Sequence, residues 1–176
     1  MREKLIQERK QLSAEFREQA AADILQQLIK LPEFNSAKNI ALYLAVNGEV
    51  ETKHIIETCW RQAKNVFLPV VQNDMSLLFY QYQKNDILQK NKFGILEPSQ
   101  DKKNIPSDQL DLVLVPLVGF DENKHRLGMG AGCYDRAFAN KKTKPVLIGL
   151  AYAFQKIQIT PKEWDVKMDA LIIASS

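Results

Sequence analysis

An α/β fold, with a largely parallel sheet covered by helices on both faces, is predicted by three features of the chain. Strand-like apolar runs alternate with segments of helical periodicity. The run LDLVLVPLVGF (110–120) is apolar almost throughout, the pattern of a strand covered on both faces. Further apolar runs, VLIGLAY (146–152) and ALIIA (170–174), follow with non-strand sequence between them. The 176 residues, 45% hydrophobic and 26% charged, suit one globular domain over 1–176 with a core of its own.

The elements follow in chain order. Residues 2–11 and 14–31 read as helices. Ser13 can cap the second, Ala21, Ile24, Leu25, Leu28 and Ile29 recur at helical spacing, and Pro32 follows its end. NIALYLAV (39–46) reads as a buried strand closed by an Asn47-Gly48 turn. Thr52 is the expected cap of a helix carrying Ile55, Ile56, Cys59 and Trp60. VFLPV (66–70) and SLLFYQYQ (76–83) are the next strands, with a turn at Asn73-Asp74 between them. Residues 84–110, polar and interrupted by Pro98 and Pro106, form a connection. After the long apolar run come a polar turn, a glycine loop and a short helical stretch.

Several function classes drop out. No apolar run approaches the ~20 residues of a membrane span. The charged start MREKLIQERKQL has no signal-peptide core, so a cytoplasmic protein without membrane attachment is expected. Cys59 and Cys133 make neither a disulfide framework nor a metal-ligand spacing. A net charge of +3, from 24 basic and 21 acidic residues, is too balanced for a nucleic-acid footprint. Two local clusters remain, Arg2, Lys4, Arg9 and Lys10, then Lys141, Lys142 and Lys144. Each is either solvated surface or an attraction for an anion such as a nucleotide phosphate. Nothing here fixes the oligomeric state, and a monomer is the expectation.

The most unusual stretch is Arg126-Leu-Gly-Met-Gly-Ala-Gly-Cys-Tyr-Asp-Arg136. Gly128, Gly130 and Gly132 alternate ahead of a predicted helix, where they permit positive φ and close approach of another group. Successive N–H groups leading into a helix make an anion site suited to phosphate, and Arg126 adds a forked donor. The alternative is a flexible turn without a ligand. The spacing is neither a Walker P-loop nor a dinucleotide fingerprint. Asp135, just past the loop, is either a Mg²⁺-holding carboxylate or an acid favoured by the helix start. Asp165 and Asp169, beside the last strand, read as turn or cap residues. His54 and His125 lack metal or triad spacing, and Cys133 is either a reactive thiolate or a packed, inert thiol. Glu49 follows a turn at the end of the first strand, where sheet-edge ligands often bind, although a solvated glutamate is the default reading there.

Taken together, the segment LDLVLVPLVGFDENKHRLGMGAGCYDR resembles the signature of the 5-formyltetrahydrofolate cyclo-ligase (5,10-methenyltetrahydrofolate synthetase) family. Agreement continues through IGLAYAFQ, Pro161 and the D-x-x-x-D of Asp165 and Asp169. Upstream, LYLAVNGEVET and Leu12-Ser13-Ala14-Glu15 fit as well. The resemblance implies a three-layer α/β/α fold similar to ribose-phosphate isomerases and CoA transferases. It also implies Mg²⁺- and ATP-dependent conversion of 5-formyltetrahydrofolate to 5,10-methenyltetrahydrofolate, ADP and phosphate. By the same resemblance, ATP lies along Arg126, Leu127, Gly128, Met129, Gly130, Ala131, Gly132, Cys133 and Tyr134, and near Arg2. Arg126, Met129, Gly130 and Ala131 are implied in catalysis, and Asp135 and Asp165 match the magnesium positions. Leu44, Glu49 and the loop from Met129 to Cys133 match folate-contacting positions.

The implied chemistry suits these residue types. Phosphorylating the formyl oxygen makes it a leaving group, N10 of the folate attacks, and phosphate departs as the ring closes. The protein's share is positioning and charge stabilisation. Three positions depart from the family pattern. Its usual lysine four positions ahead of the first arginine falls before Met1, Ala131 replaces a common Lys or Gly, and Cys133 replaces an aromatic. A catalytically weakened folate- or nucleotide-binding relative is therefore the competing reading. A CoA- or sugar-phosphate-handling enzyme on the same fold is the third, without a glutamate placed as a thioester nucleophile.

Overall fold

The computed structural model describes residues 1–92 and 94–175. The chain opens with helix α1 (Arg2–Gln11), and Ser13 then starts α2 (Ala14–Leu28) by accepting the Phe16 N–H at 3.1 Å. Helix α3 (Pro32–Ser36) has its proline in the first turn, where no N–H is missed. Strand β1 (Asn39–Ala41), helix α4 (Lys53–Arg61) and strands β2 (Asn65–Val71) and β3 (Leu77–Gln81) follow. The connection then holds three two-residue strands, β4 (Gln89–Lys90), β5 (Leu96–Glu97) and β6 (Asn104–Ile105). The second half comprises β7 (Leu112–Pro116), β8 (Gly119–Phe120), β9 (Arg126–Leu127), α5 (Cys133–Phe138), β10 (Val146–Tyr152) and β11 (Ala170–Ala174).

One sheet runs in the order β11-β10-β7-β1-β2-β3-β6. Its first five strands are mutually parallel, and β3 and β6 add on in antiparallel fashion. Alternate side chains feed two cores. Leu112 and Leu114, Val66 and Leu68, Ile148 and Leu150 pack with α2, α3 and α4 on one face. Val113 and Val115, Phe67 and Leu147 pack with Phe138 of α5 on the other. Burial on both faces is why β7 and β10 read as unbroken apolar runs. Ile24 and Leu28 of α2 are fully buried, each worth roughly 1.5–3 kcal/mol of transfer free energy. Among the described residues no helix is long and apolar enough to cross a membrane.

Four sequence expectations change. The 39–46 run is strand only to Ala41, because beyond it the chain leaves the sheet while staying buried through Tyr43. The 110–120 run breaks after Pro116, and Gly119 begins a separate two-stranded hairpin. The 84–110 connection contributes an edge strand, β6. Thr52 stands at the α4 cap without a cap bond, because its hydroxyl donates to the Tyr43 carbonyl at 2.5 Å instead.

Candidate active site

Strands β1 and β7 lie side by side at the centre, with Ile40 opposite Leu112 and Ala41 opposite Val113. From β1 the chain passes through α4 to β2 on one side. From β7 it passes through α5 to β10 on the other. The two connections lie on opposite faces of the sheet and diverge from neighbouring strands. Such a switch point opens a crevice beyond the carboxyl ends of the strands, the general ligand site of α/β sheets.

The segment after β1 forms one wall. Leu44 is partly buried against the first core. Asn47 (φ 52°) and Gly48 (φ 74°) make the turn, and Glu49 follows at 7% exposure. Glu49 Oε2 accepts the Val46 N–H at 3.0 Å, and Oε1 stands 3.8 Å from Arg9 Nη2. Burial pushes the Glu49 carboxyl above its ordinary pKa, while the Val46 N–H and the Arg9 guanidinium oppose that push.

The segment after β7 forms the other wall. The expected polar turn is a hairpin: β8 pairs with β9, Gly119 opposite Leu127 and Phe120 opposite Arg126. Asp121 builds its tip by accepting the N–H groups of Asn123 (2.9 Å) and His125 (2.8 Å) and pairing with His125 Nδ1 at 2.9 Å. His125 is thereby committed to the hairpin. The strand pairing delivers Arg126 and the glycine loop to the crevice. Gly130 (φ 102°) and Gly132 (φ 66°) need their positive φ. The nearest atoms to a Cβ at Gly130 would be those of the Arg2 guanidinium, from 3.5 Å, and to one at Gly132 those of the Arg136 guanidinium, from 3.5 Å. Arg2 Nε donates to the Gly128 carbonyl at 2.9 Å, and Arg136 Nη1 to the Ala131 carbonyl at 2.5 Å. Helix α5 spans six residues, so a phosphate here would meet loop amides flanked by arginines more than a helix terminus.

Arg126 turns inward. Its Nη2 donates to Asp135 Oδ1 at 2.8 Å, its guanidinium lies 5.7 Å from the Tyr134 ring centre, and its buried Nε has no hydrogen bond among the described residues. Asp135 Oδ1 also accepts the Val166 N–H at 3.0 Å. The neighbouring Asp165 closes a turn, its Oδ2 accepting the Lys162 N–H at 2.8 Å. Asp169 does other work, accepting the Leu147 N–H at 2.7 Å and pairing with Lys141 at 3.0 Å. Among the described residues no group of three or more His, Cys, Asp or Glu side chains stands together. Burial raises the Cys133 thiol pKa, which favours the packed, inert reading of that residue.

Residues 1–174 match the sequence model of the 5-formyltetrahydrofolate cyclo-ligase family. The chain belongs to that family. A 5-formyltetrahydrofolate cyclo-ligase of Haemophilus influenzae is 40% identical over 170 residues, 94% of this chain and 91% of that protein. The solution structure of the 5,10-methenyltetrahydrofolate synthetase of Aquifex aeolicus superposes with a TM-score of 0.85 at 32% identity, covering 99% of this chain and 88% of that one. The structure of a 5,10-methenyltetrahydrofolate synthetase from Mycoplasma pneumoniae gives a TM-score of 0.80 at 28% identity, covering 97% of this chain and 94% of that one.

Within this cyclo-ligase the residues suggested by the sequence gather in two clusters joined by α1. Arg2 touches the glycine loop at one end of that helix, and Arg9 touches the Asn47–Glu49 turn toward the other. Two further residues are not marked as site residues by the sequence: Gln155, and Arg9, which falls only in the basic cluster near the start. Arg9 donates from Nε to the Asn47 carbonyl at 2.9 Å and from Nη1 to the Leu117 carbonyl at 3.0 Å. Buried Gln155 donates to the Leu117 (3.1 Å) and Val118 (2.9 Å) carbonyls where β7 ends. For Arg9 a signal existed: Arg2, Leu5 and Arg9 fall on one helical face.

Proposed function

We propose that this cyclo-ligase converts 5-formyltetrahydrofolate to 5,10-methenyltetrahydrofolate with ATP and Mg²⁺, releasing ADP and phosphate. The observation that carries the reading is the bridge made by α1. Arg2 reaches the glycine loop and Arg9 the Glu49 turn, seven residues apart, which is about 10 Å of helix. A triphosphate on the loop and a folate at the turn would then meet across the crevice. The guanidinium groups of Arg2 and Arg136, which stand over Gly130 and Gly132, suit a phosphate group. A Mg²⁺ ion takes one or two carboxylates and keeps waters or phosphate oxygens, which suits Asp135 and Asp165. When bound, it would offset phosphate charge.

The chain's own residues supply position and field. Loop amides from Leu127 to Tyr134 and the guanidinium of Arg2 hold the nucleotide. Arg126 fixes Asp135 and lends positive charge beside it. Glu49 accepts N–H donors of the pterin, and Leu44 with Met129, Gly130, Ala131, Gly132 and Cys133 frames the folate. The whole chain acts as one domain in the cytoplasm, and its balanced charge speaks against a nucleic-acid partner. The test is protein mixed with Mg·ATP and 5-formyltetrahydrofolate, followed by the near-UV absorbance of the methenyl product. Product is expected only with ATP and metal together. Undiminished turnover after chelation or without ATP would overturn the reading, and binding of both ligands without product would favour the weakened relative.

A further inference from the structure

We propose that Arg9 is a positioning residue for the cyclo-ligase reaction, its guanidinium locked across the β1–β7 crevice so that the Glu49 carboxylate is presented to the substrate as an anion. The inference rests on the assignment of Glu49 to the folate subsite.

Arg9 is 1% exposed although it belongs to an otherwise polar helix in which Leu5 is the other buried residue. A guanidinium stays charged in proteins, so its burial demands compensation. Two arms have it: Nε reaches the Asn47 carbonyl after β1, and Nη1 the Leu117 carbonyl after β7. The fork therefore ties together the two segments that diverge at the switch point. The third arm differs. Nη2 is buried without a hydrogen bond among the described residues and faces Glu49 Oε1 at 3.8 Å, beyond the 2.7–2.9 Å of a closed charged pair. Among the described residues no hydrogen bond reaches Oε1, since the Val46 N–H goes to Oε2.

A staple serving the fold alone would have closed this pair. Held apart, Oε1 stays available to an incoming N–H donor while the neighbouring positive charge favours its ionised form. The groups that face Glu49 make Arg9 decisive. Tyr43 follows β1, Tyr134 comes from α5 and Tyr152 from β10, and burial raises the phenol pKa of each, so they are neutral. Glu51 repels the charge, and Arg9 is the cation acting on Glu49.

The experiment measures folate KM, ATP KM and kcat from about pH 5 to about pH 9. It compares wild type, Arg9→Met, Arg9→Lys, Glu49→Gln and the Arg9→Met/Glu49→Gln double variant, each with its melting temperature. Arg9→Met is expected to raise folate KM about tenfold or more at neutral pH, one pKa unit corresponding to a factor of ten. The defect should shrink as pH rises and Glu49 ionises without its partner. Arg9→Lys should retain part of the wild-type KM with a flatter pH dependence. Glu49→Gln should add little on the Arg9→Met background. A folded Arg9→Met with an unchanged folate KM, or with a defect equal at every pH, would overturn the proposal. So would a full Glu49→Gln effect in both backgrounds. Should Arg9→Met fail to fold, Arg9→Lys decides: a KM defect that does not respond to pH and matches its stability loss refutes the role. If wild type itself gives no product, the functional reading fails separately, and the same series is read by direct folate titration.

Discussion

Gly48 and Gly94 share a φ of 74° but differ in surroundings, which allows the close contact between α1 and the Glu49 turn to be measured. A Cβ at Gly48 would lie 2.4 Å from the Arg9 carbonyl oxygen and 2.8 Å from its carbon, both backbone atoms that cannot rotate away. A Cβ at Gly94 would meet nothing within 4 Å among the described residues. Alanine at Gly94 therefore carries only the left-handed backbone cost, about 1–2 kcal/mol. Alanine at Gly48 carries that cost plus a close-packing term of about 1–3 kcal/mol. For a chain of this size each kcal/mol moves Tm by about 2–4 °C, so Gly94→Ala should lose about 2–8 °C and Gly48→Ala about 4–20 °C. Thermal unfolding of both variants against wild type is the assay. Gly48→Ala should also raise folate KM more than ATP KM, because relief of the clash must separate Arg9 from Asn47 and Glu49. Equal Tm losses at the two glycines, with folate KM unchanged, would refute the contact on which the two-ended role of α1 depends.

Gly130→Val should abolish or greatly weaken ATP binding, because a branched side chain is strained at φ 102° and fills the space beneath the Arg2 guanidinium. Isothermal titration with ATP on a variant shown to be folded checks it, and wild-type affinity would mean the cradle is misassigned. Asp165→Asn should slow kcat by about 10²–10³ at limiting Mg²⁺, with partial rescue by excess metal. Asp169→Asn loses the Lys141 ion pair and should cost only about 0.2–1 kcal/mol of stability, with normal turnover. Normal kcat for Asp165→Asn at limiting metal would return Asp165 to the role of a turn residue, as its bond from the Lys162 N–H would then suffice to explain it.

What the sequence made legible was whatever burial writes into a run of side chains. Strands β10 and β11 have the limits their apolar runs suggest, Val146–Tyr152 and Ala170–Ala174, because both ends of each run coincide with the end of pairing. The first strand was overestimated for the same reason. Leu42 and Tyr43 are as buried as Ile40 and Ala41, yet they sit in irregular backbone, held by the Thr52 hydroxyl and by Tyr43 donating to the Val50 carbonyl at 3.0 Å. Hydrophobicity reports burial and not hydrogen-bond pattern. The break after Pro116 was hidden likewise, since Leu117, Val118 and Phe120 remain buried after the strand has ended.

The glycine loop is marked by composition, whereas Arg9 shows only its place on one helical face with Arg2 and Leu5, and the difference is physical. A loop needing positive φ at Gly130 and Gly132 must spend glycines, and clustered glycines are visible in any sequence. A buried arginine in a helix rich in Arg, Lys, Glu and Gln looks like one more solvated charge. Its burial is decided by partners far along the chain: the carbonyl of Asn47 is 38 positions away and that of Leu117 is 108. Those carbonyls belong to the backbone, so no side-chain pattern marks them. They become available because the chain has by then left the central strands, β1 ending at Ala41 and β7 at Pro116, and its two connections run to opposite faces. The topology that creates the crevice also exposes the acceptors that capture Arg9, and through it α1 and Arg2 are brought to the loop.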